Sequence, residues 1–182
     1  DTQITENTTY GGGGVSAQNN SIVTINGGKI FDNISKQGCG LRIDEAVAHL
    51  NGGVEISENG SADGMYNDLE IYGAGIWTSE STINFNDANV INNHGYKGGG
   101  VYTYDDKVYL NLCNGYITGN IAEDEAGGIC CKTNEITIKG GIQITGNKLK
   151  SETSEIENNV YLRNNTALKV EKHWGESDDG II

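Results

Sequence analysis

Apolar residues in this chain come in short alternating bursts and never form a stripe of helical period. In Thr82-Ile-Asn-Phe85, Tyr109-Leu-Asn-Leu112 and Glu135-Ile-Thr-Ile138 the apolar positions recur at every second residue. Period two over so few residues, with Val, Ile, Thr and Tyr enriched, predicts half-buried strands. Glycine and asparagine cluster between the bursts, at the positions where tight corners need left-handed backbone.

These strands belong to a repeat. A glycine-rich opening followed by an aliphatic residue recurs at Gly12-Gly-Gly-Val15, Gly38-Cys-Gly-Leu41, Gly73-Ala-Gly-Ile76, Gly98-Gly-Gly-Val101 and Ala126-Gly-Gly-Ile129. Each opening has a closing partner, an aliphatic residue three places before an asparagine: Ile30/Asn33, Ile56/Asn59, Val90/Asn93, Ile117/Asn120 and Ile144/Asn147. The closing asparagines are 26, 34, 27 and 27 residues apart, a period typical of stacked arrays. Helical repeats fail for lack of a 3.6-residue stripe, and leucine-rich repeats fail because asparagine, not leucine, marks the corners. The predicted fold is therefore all-β: a right-handed, single-stranded parallel β-helix of about six coils, a rod roughly 30 Å long at about 4.8 Å per coil.

Aligning the coils predicts which side chains meet. Val15, Leu41, Ile76, Val101 and Ile129 form one inward column, and Ile30, Ile56, Val90, Ile117 and Ile144 a second. Ile83 with Phe85, Leu110 with Leu112 and Ile136 with Ile138 supply the third wall. The asparagines Asn33, Asn59, Asn93, Asn120 and Asn147 are expected to stack as a structural ladder, each amide bonding its neighbours above and below.

Residues 1–182 are read as a single domain, expected to be a piece of a larger surface protein. Residues 1–11 look like a partial coil. Residues 43–50 fit either a short helical turn or a second strand. The polar, acidic and aromatic segment 60–72 is an insertion expected to project from the stack, which accounts for the one long spacing. Residues 148–157 read as a charged loop, a last strand pair follows, and 171–182 form a polar tail.

Composition narrows the partners. The formal net charge is −13, with 12 Lys and Arg against 25 Asp and Glu, which argues against nucleic acid or an anionic membrane surface. No apolar run approaches membrane-spanning length, so membrane insertion is not expected, and no secretory leader is recognisable. Proline is absent, as suits an unbroken ladder of backbone hydrogen bonds. Cys39, Cys113, Cys130 and Cys131 show no metal-ligand spacing and are expected to be free thiols. No cofactor is implied, although calcium in the acidic turns is left open.

The paired motifs resemble those of polymorphic outer-membrane-protein repeats and of related right-handed β-helix repeats in large bacterial surface proteins and autotransporter-like adhesins. The resemblance covers roughly residues 11–170. This chain has Ile or Val where those repeats usually have Phe before x-x-Asn. The resemblance implies display or adhesion at the bacterial cell surface, outside the cell, and not chemistry.

One place beyond each core aliphatic, alternation turns Ser16, Arg42, Trp77, Tyr102, Cys130 and Tyr161 outward. Trp77 over Tyr102, with Arg42 alongside and Glu80, Asp105 and Asp106 just beyond, is expected to form an exposed aromatic and acidic strip. Flat ring faces of sugars stack on such aromatics while carboxylates accept from hydroxyls. The function expected is a non-catalytic surface module for adhesion, display or spacing that engages a glycan or a host surface protein through this strip. The alternative is a polysaccharide lyase or glycosidase on the same fold. That reading needs paired carboxylates or a base beside acids. Asp105-Asp106 and Glu123-Asp124-Glu125 supply acids, but Arg42, Arg163, His49, His94 and His173 show no spacing that brings a base to them. There is no nucleophile elbow, phosphate loop or metal signature.

Overall fold

The computed structural model describes residues 2–133, 135–150, 154–163 and 166–171. Among these there is no helix, and the chain winds into a parallel β-solenoid of about six coils. Three six-stranded sheets run the length of the shaft. The first stacks Val15–Gln18, Leu41–Asp44, Ile76–Ser79, Val101–Thr103, Ile129–Cys131 and Val160–Leu162. The second stacks Ile22–Asn26, Val47–Asn51, Thr82–Phe85, Tyr109–Leu112, Glu135–Ile138 and Ala167–Val170. The third stacks Gln3–Thr5, Lys29–Phe31, Val54–Ser57, Ala88–Ile91, Gly115–Thr118 and Gln143–Thr145. All neighbours within these sheets are parallel.

Register follows the columns read from the sequence. Leu41 pairs with Ile76, Ile76 with Val101 and Val101 with Ile129, while Ile56 pairs with Val90 and Val90 with Ile117. The inward positions of the middle coils are fully buried and join into one cluster with Ile83, Phe85, Leu110 and Leu112, against which the end positions Val15 and Ile144 pack partly buried. In the segment 43–50 the strand alternative holds: Leu41–Asp44 and Val47–Asn51 are separated by a corner at Glu45, whose φ is 49°.

The asparagine ladder is longer than five rungs. Asn93 Nδ2 donates to Asn120 Oδ1 at 2.9 Å and to the carbonyls of Ile56 and Ile91, and its backbone N–H donates to the same Asn120 oxygen at 3.0 Å. Asn59 and Asn120 repeat this pattern one coil below and above. The row continues to Asn7 at one end, bonded to Asn33, and to Asn159 at the other, bonded to Asn147. Each rung from Asn7 to Asn147 follows a residue in the left-handed region, among them Asp32, Glu58, Asn92, Gly119 and Gly146. That residue swings the chain out of the third sheet and turns the amide inward.

The two sequence motifs are one device. A Cβ added to Gly75 would lie 3.1 Å from Asn93 Nδ2 and 2.5 Å from the carbonyl oxygen of Gly100. The last glycine of each opening thus leaves the room that the ladder amide fills. Asn159 occupies this same register in the top coil, accepting the backbone bond from Ile129 that Gly128 accepts from Val101. With no amide above it among the described residues, a side chain is tolerated there and supplies the last rung itself.

Between each rung and the next opening the chain leaves the shaft. These excursions build a smaller stack from His94–Lys97, Ile121–Glu125 and Lys148–Lys150, closed by the antiparallel strand Glu155–Glu157. The charged loop expected at 148–157 is thus partly a strand pair. The insertion contains a two-residue hairpin, Met65–Tyr66 against Leu69–Glu70, turned by Asn67 and Asp68 with φ of 49° and 62°, the geometry of a type I′ turn. It does not simply project: Ile71 is fully buried in a second cluster with Cys39 and Ala74. The polar tail, apart from Glu171, lies outside the described residues.

Asn93→Ala removes the acceptor for two buried donors of Asn59 and the donor for the buried carbonyl of Ile56. At about 1–3 kcal/mol per buried group left unsatisfied, it is expected to lower unfolding stability by more than about 3 kcal/mol. Asn86→Ala, which breaks an exposed amide pair with Asn51, is expected to cost less than about 1 kcal/mol. Paired urea melts compare the two.

Candidate functional site

In the middle coils the outward face of the first sheet is not open, although Ser16 and Tyr161 at its ends are exposed. Trp77 and Tyr102 point away from the core, in register with one another and with Arg42, yet they are only 4% and 3% exposed. Period-two alternation correctly assigns their direction. It misses what covers them, because the cover comes from chain outside the strands.

The first residue of each opening has positive φ: 61° at Gly73, 61° at Gly98 and 47° at Ala126. A Cβ on Gly98 would lie 3.0 Å from that of Tyr102, so the corner passes directly over the sheet's outward row. This bend folds the preceding residues back as a wall. Gln37, Tyr72 and Lys97 bridge one another in successive coils along it. The opposite wall is made by Tyr104, Lys132 and Arg163, which directly follow the strands Val101–Thr103, Ile129–Cys131 and Val160–Leu162. Trp77, Tyr102, Ala126 and Cys130 pack together as the floor, with Tyr72 against them.

The result is a cleft of about 430 Å³ lined by Lys36, Gln37, Tyr72, Trp77, Lys97, Tyr102, Tyr104, Lys132 and Arg163. Its aromatics are mutually braced. Tyr72 lies 5.3 Å from Tyr102, and Trp77 5.7 Å from Tyr104. The Arg42 guanidinium stacks on Trp77 at 5.2 Å while bonding Asp44 at 2.6 Å. Lys132 lies 5.5 Å from the Tyr102 ring and 5.4 Å from that of Tyr104. Such cation–π contacts hold a charge at the site without neutralising it.

The three acids singled out from the sequence lie elsewhere, and none lines the cleft. Asp105 accepts from the backbone N–H of Glu80 at 3.0 Å, from that of Lys107 at 2.8 Å, and from the Ser79 hydroxyl. It is a corner-forming residue between the first and second sheets. Glu80 pairs with Lys107 at 2.7 Å, and Asp106 is exposed in the same turn. The aromatic and acidic strip is therefore two separate features.

The acids nearest the cleft organise its cations. Glu125 bridges Lys97 at 3.2 Å and Arg163 at 3.3 Å, and Asp124 bonds Lys97 at 2.9 Å. Burial opposes the Lys97 charge, but these two carboxylates outweigh it and hold its pKa above the ordinary lysine range. Burial, with the neighbouring Glu70, raises the Tyr72 phenol, so it stays protonated as a donor. Glu123 is taken up by His94 at 2.6 Å and Lys150 at 3.0 Å. Among the described residues no group of three or more His, Cys, Asp or Glu converges as a metal site does.

The cysteines are free, and Cys39, Cys130 and Cys131 are buried. Desolvation raises all three thiols, with Glu125 adding to the effect at Cys130 and Ser35 bonds opposing it at Cys39. A thiol held protonated is a poor nucleophile, so Cys130 serves the cleft floor as packing. Compared with known proteins, the chain matches no family model, no curated protein and no solved structure.

Burial pushes the Cys39 thiol up to about 11 from an ordinary value of 9.0. Folding then favours its protonated form, so its contribution is complete below pH 9 and is lost as pH rises through 11. A shift of this size corresponds to roughly 2–3 kcal/mol. Chemical melts across this window are expected to show a steeper decline for the wild type than for Cys39→Ala.

Proposed function

We propose that this chain is a glycan-binding β-solenoid module displayed at a bacterial surface, where the shaft acts as spacer and the cleft as adhesive site. The observation that carries the reading is the aromatic cleft itself: Tyr72 and the exposed ring of Tyr104 on opposite walls, braced by a closed floor of Trp77 and Tyr102. Sugar rings present flat apolar faces with a polar rim. They suit a slot of braced aromatic rings edged by hydrogen-bonding side chains. The surface-protein assignment rests on the resemblance of the Gly-Gly-aliphatic and aliphatic-x-x-Asn motifs to bacterial surface repeats. The groups that organise the cleft further favour binding over catalysis. Glu125 is held by two cations and Cys130 is kept protonated, which leaves neither poised as a base or nucleophile.

Tyr104 is 54% exposed, so truncating it tests the cleft without opening the core. A glycan array and titration calorimetry are expected to detect saccharide binding by the wild type, with Tyr104→Ala about tenfold weaker and an unchanged melting temperature. Absence of binding across acidic and neutral saccharides would falsify the reading. New reducing ends or unsaturated products during incubation would replace it with the enzymatic alternative.

A further inference from the structure

The cleft's charge runs against that of the whole molecule. With acids outnumbering bases by 25 to 12, a surface region drawn at random from this chain is negative. Yet four of the twelve basic residues, Lys36, Lys97, Lys132 and Arg163, line this one cleft, and no acid lines it. Even with Glu125 and Asp124 set against them, the cations remain in excess.

These cations come from four separate coils and share no sequence neighbourhood. Lys36 and Lys97 belong to one wall and Lys132 and Arg163 to the other, so their meeting is a product of the winding. Two are secured by Glu125. Lys36 and Lys132 have no carboxylate within ion-pair distance among the described residues; each instead lies over tyrosine rings, Lys36 5.7 Å from Tyr10 and Lys132 beside Tyr102 and Tyr104. Ammonium groups of lysines near a wall of like charge repel one another. Without a compensating anion that arrangement costs stability.

The neutral groups agree with the charges. The Trp77 indole N–H is buried and has no hydrogen-bond partner among the described residues. Indole and ammonium groups are donors only. The four cationic side chains thus offer donors in excess, and the chemistry complementary to them is an acceptor-rich anion that also carries apolar ring faces.

We propose that the saccharide bound in this cleft is acidic, carrying carboxylate or sulfate groups, and that Lys36, Lys132, Lys97 and Arg163 read those groups while the exposed Tyr104 ring stacks on the sugar. This deepens the glycan-binding reading above and rests on it. Arg163, already oriented by Glu125, presents the planar fork suited to a carboxylate or sulfate. Lys132 supplies a mobile point charge against the rings.

The test titrates the protein with short oligogalacturonates, with the same oligomers methyl-esterified, and with heparin oligosaccharides. The acidic forms are expected to bind at least about tenfold more tightly than the ester, with affinity falling as salt rises. Lys132→Gln and Lys36→Gln are each expected to weaken acidic binding about fivefold and leave the ester unaffected, whereas Lys132→Arg retains binding. Tighter binding of heparin assigns sulfate, and tighter binding of oligogalacturonate assigns carboxylate. Equal affinity for acid and ester overturns the charge assignment while leaving glycan recognition intact. Binding of no saccharide overturns both. Unchanged acidic affinity in both glutamine variants, with native melting temperatures, also overturns it.

Discussion

The side-chain amides of Asn33, Asn59, Asn93, Asn120 and Asn147 are buried, and each must find its partners in the coils above and below. A single amide oxygen accepts both the side-chain and the backbone N–H of the rung beneath it. Coils therefore cannot slip relative to one another without stranding buried donors, and a slip by one residue would also turn the apolar columns outward. The glycines that end each opening follow from this constraint, because the amide takes the volume a Cβ would need.

Fixing the stack also fixes what lies on its flank. Once Ile76, Val101 and Ile129 are in register, Trp77, Tyr102 and Cys130 must form a row on the opposite side of the same sheet. The positive-φ corners before the strands then fold the preceding residues over that row. Ladder, glycine corner and cleft are successive consequences of one repeat. Rigidity is built into the cleft, since its aromatic rings are already braced against one another.

The shaft was legible from sequence because its determinants recur: five openings and five closings fixed three columns and the ladder. The outer rungs escaped for different reasons. Ile4-x-x-Asn7 satisfies the closing rule but precedes the first opening. Asn159 reaches the ladder from a glycine register only 12 residues after Asn147, which hides it from a search by period. In the cleft, the direction of Trp77 and Tyr102 was readable from alternation, but their burial was not. The walls are set by Lys36, Tyr72, Lys97, Lys132 and Arg163, which lie outside the three sheets of the shaft, where the repeat's alternation no longer applies. Aligning the residue before each opening, Gly11, Gln37, Tyr72, Lys97 and Glu125, exposes one wall, since in a solenoid every register has a row whether or not it is apolar.

The long repeat shows what this construction permits. Between Asn59 and Gly73 the chain gains a hairpin and a small cluster of its own, yet Asn59 still bonds Asn93 at 2.9 Å and Leu41 still faces Ile76. Added length enters at a seam that both motifs bracket and neither occupies. A change of length at that seam alters the flank beside Tyr72 and leaves the spine untouched. Outline and architecture can thus vary independently within a single repeat.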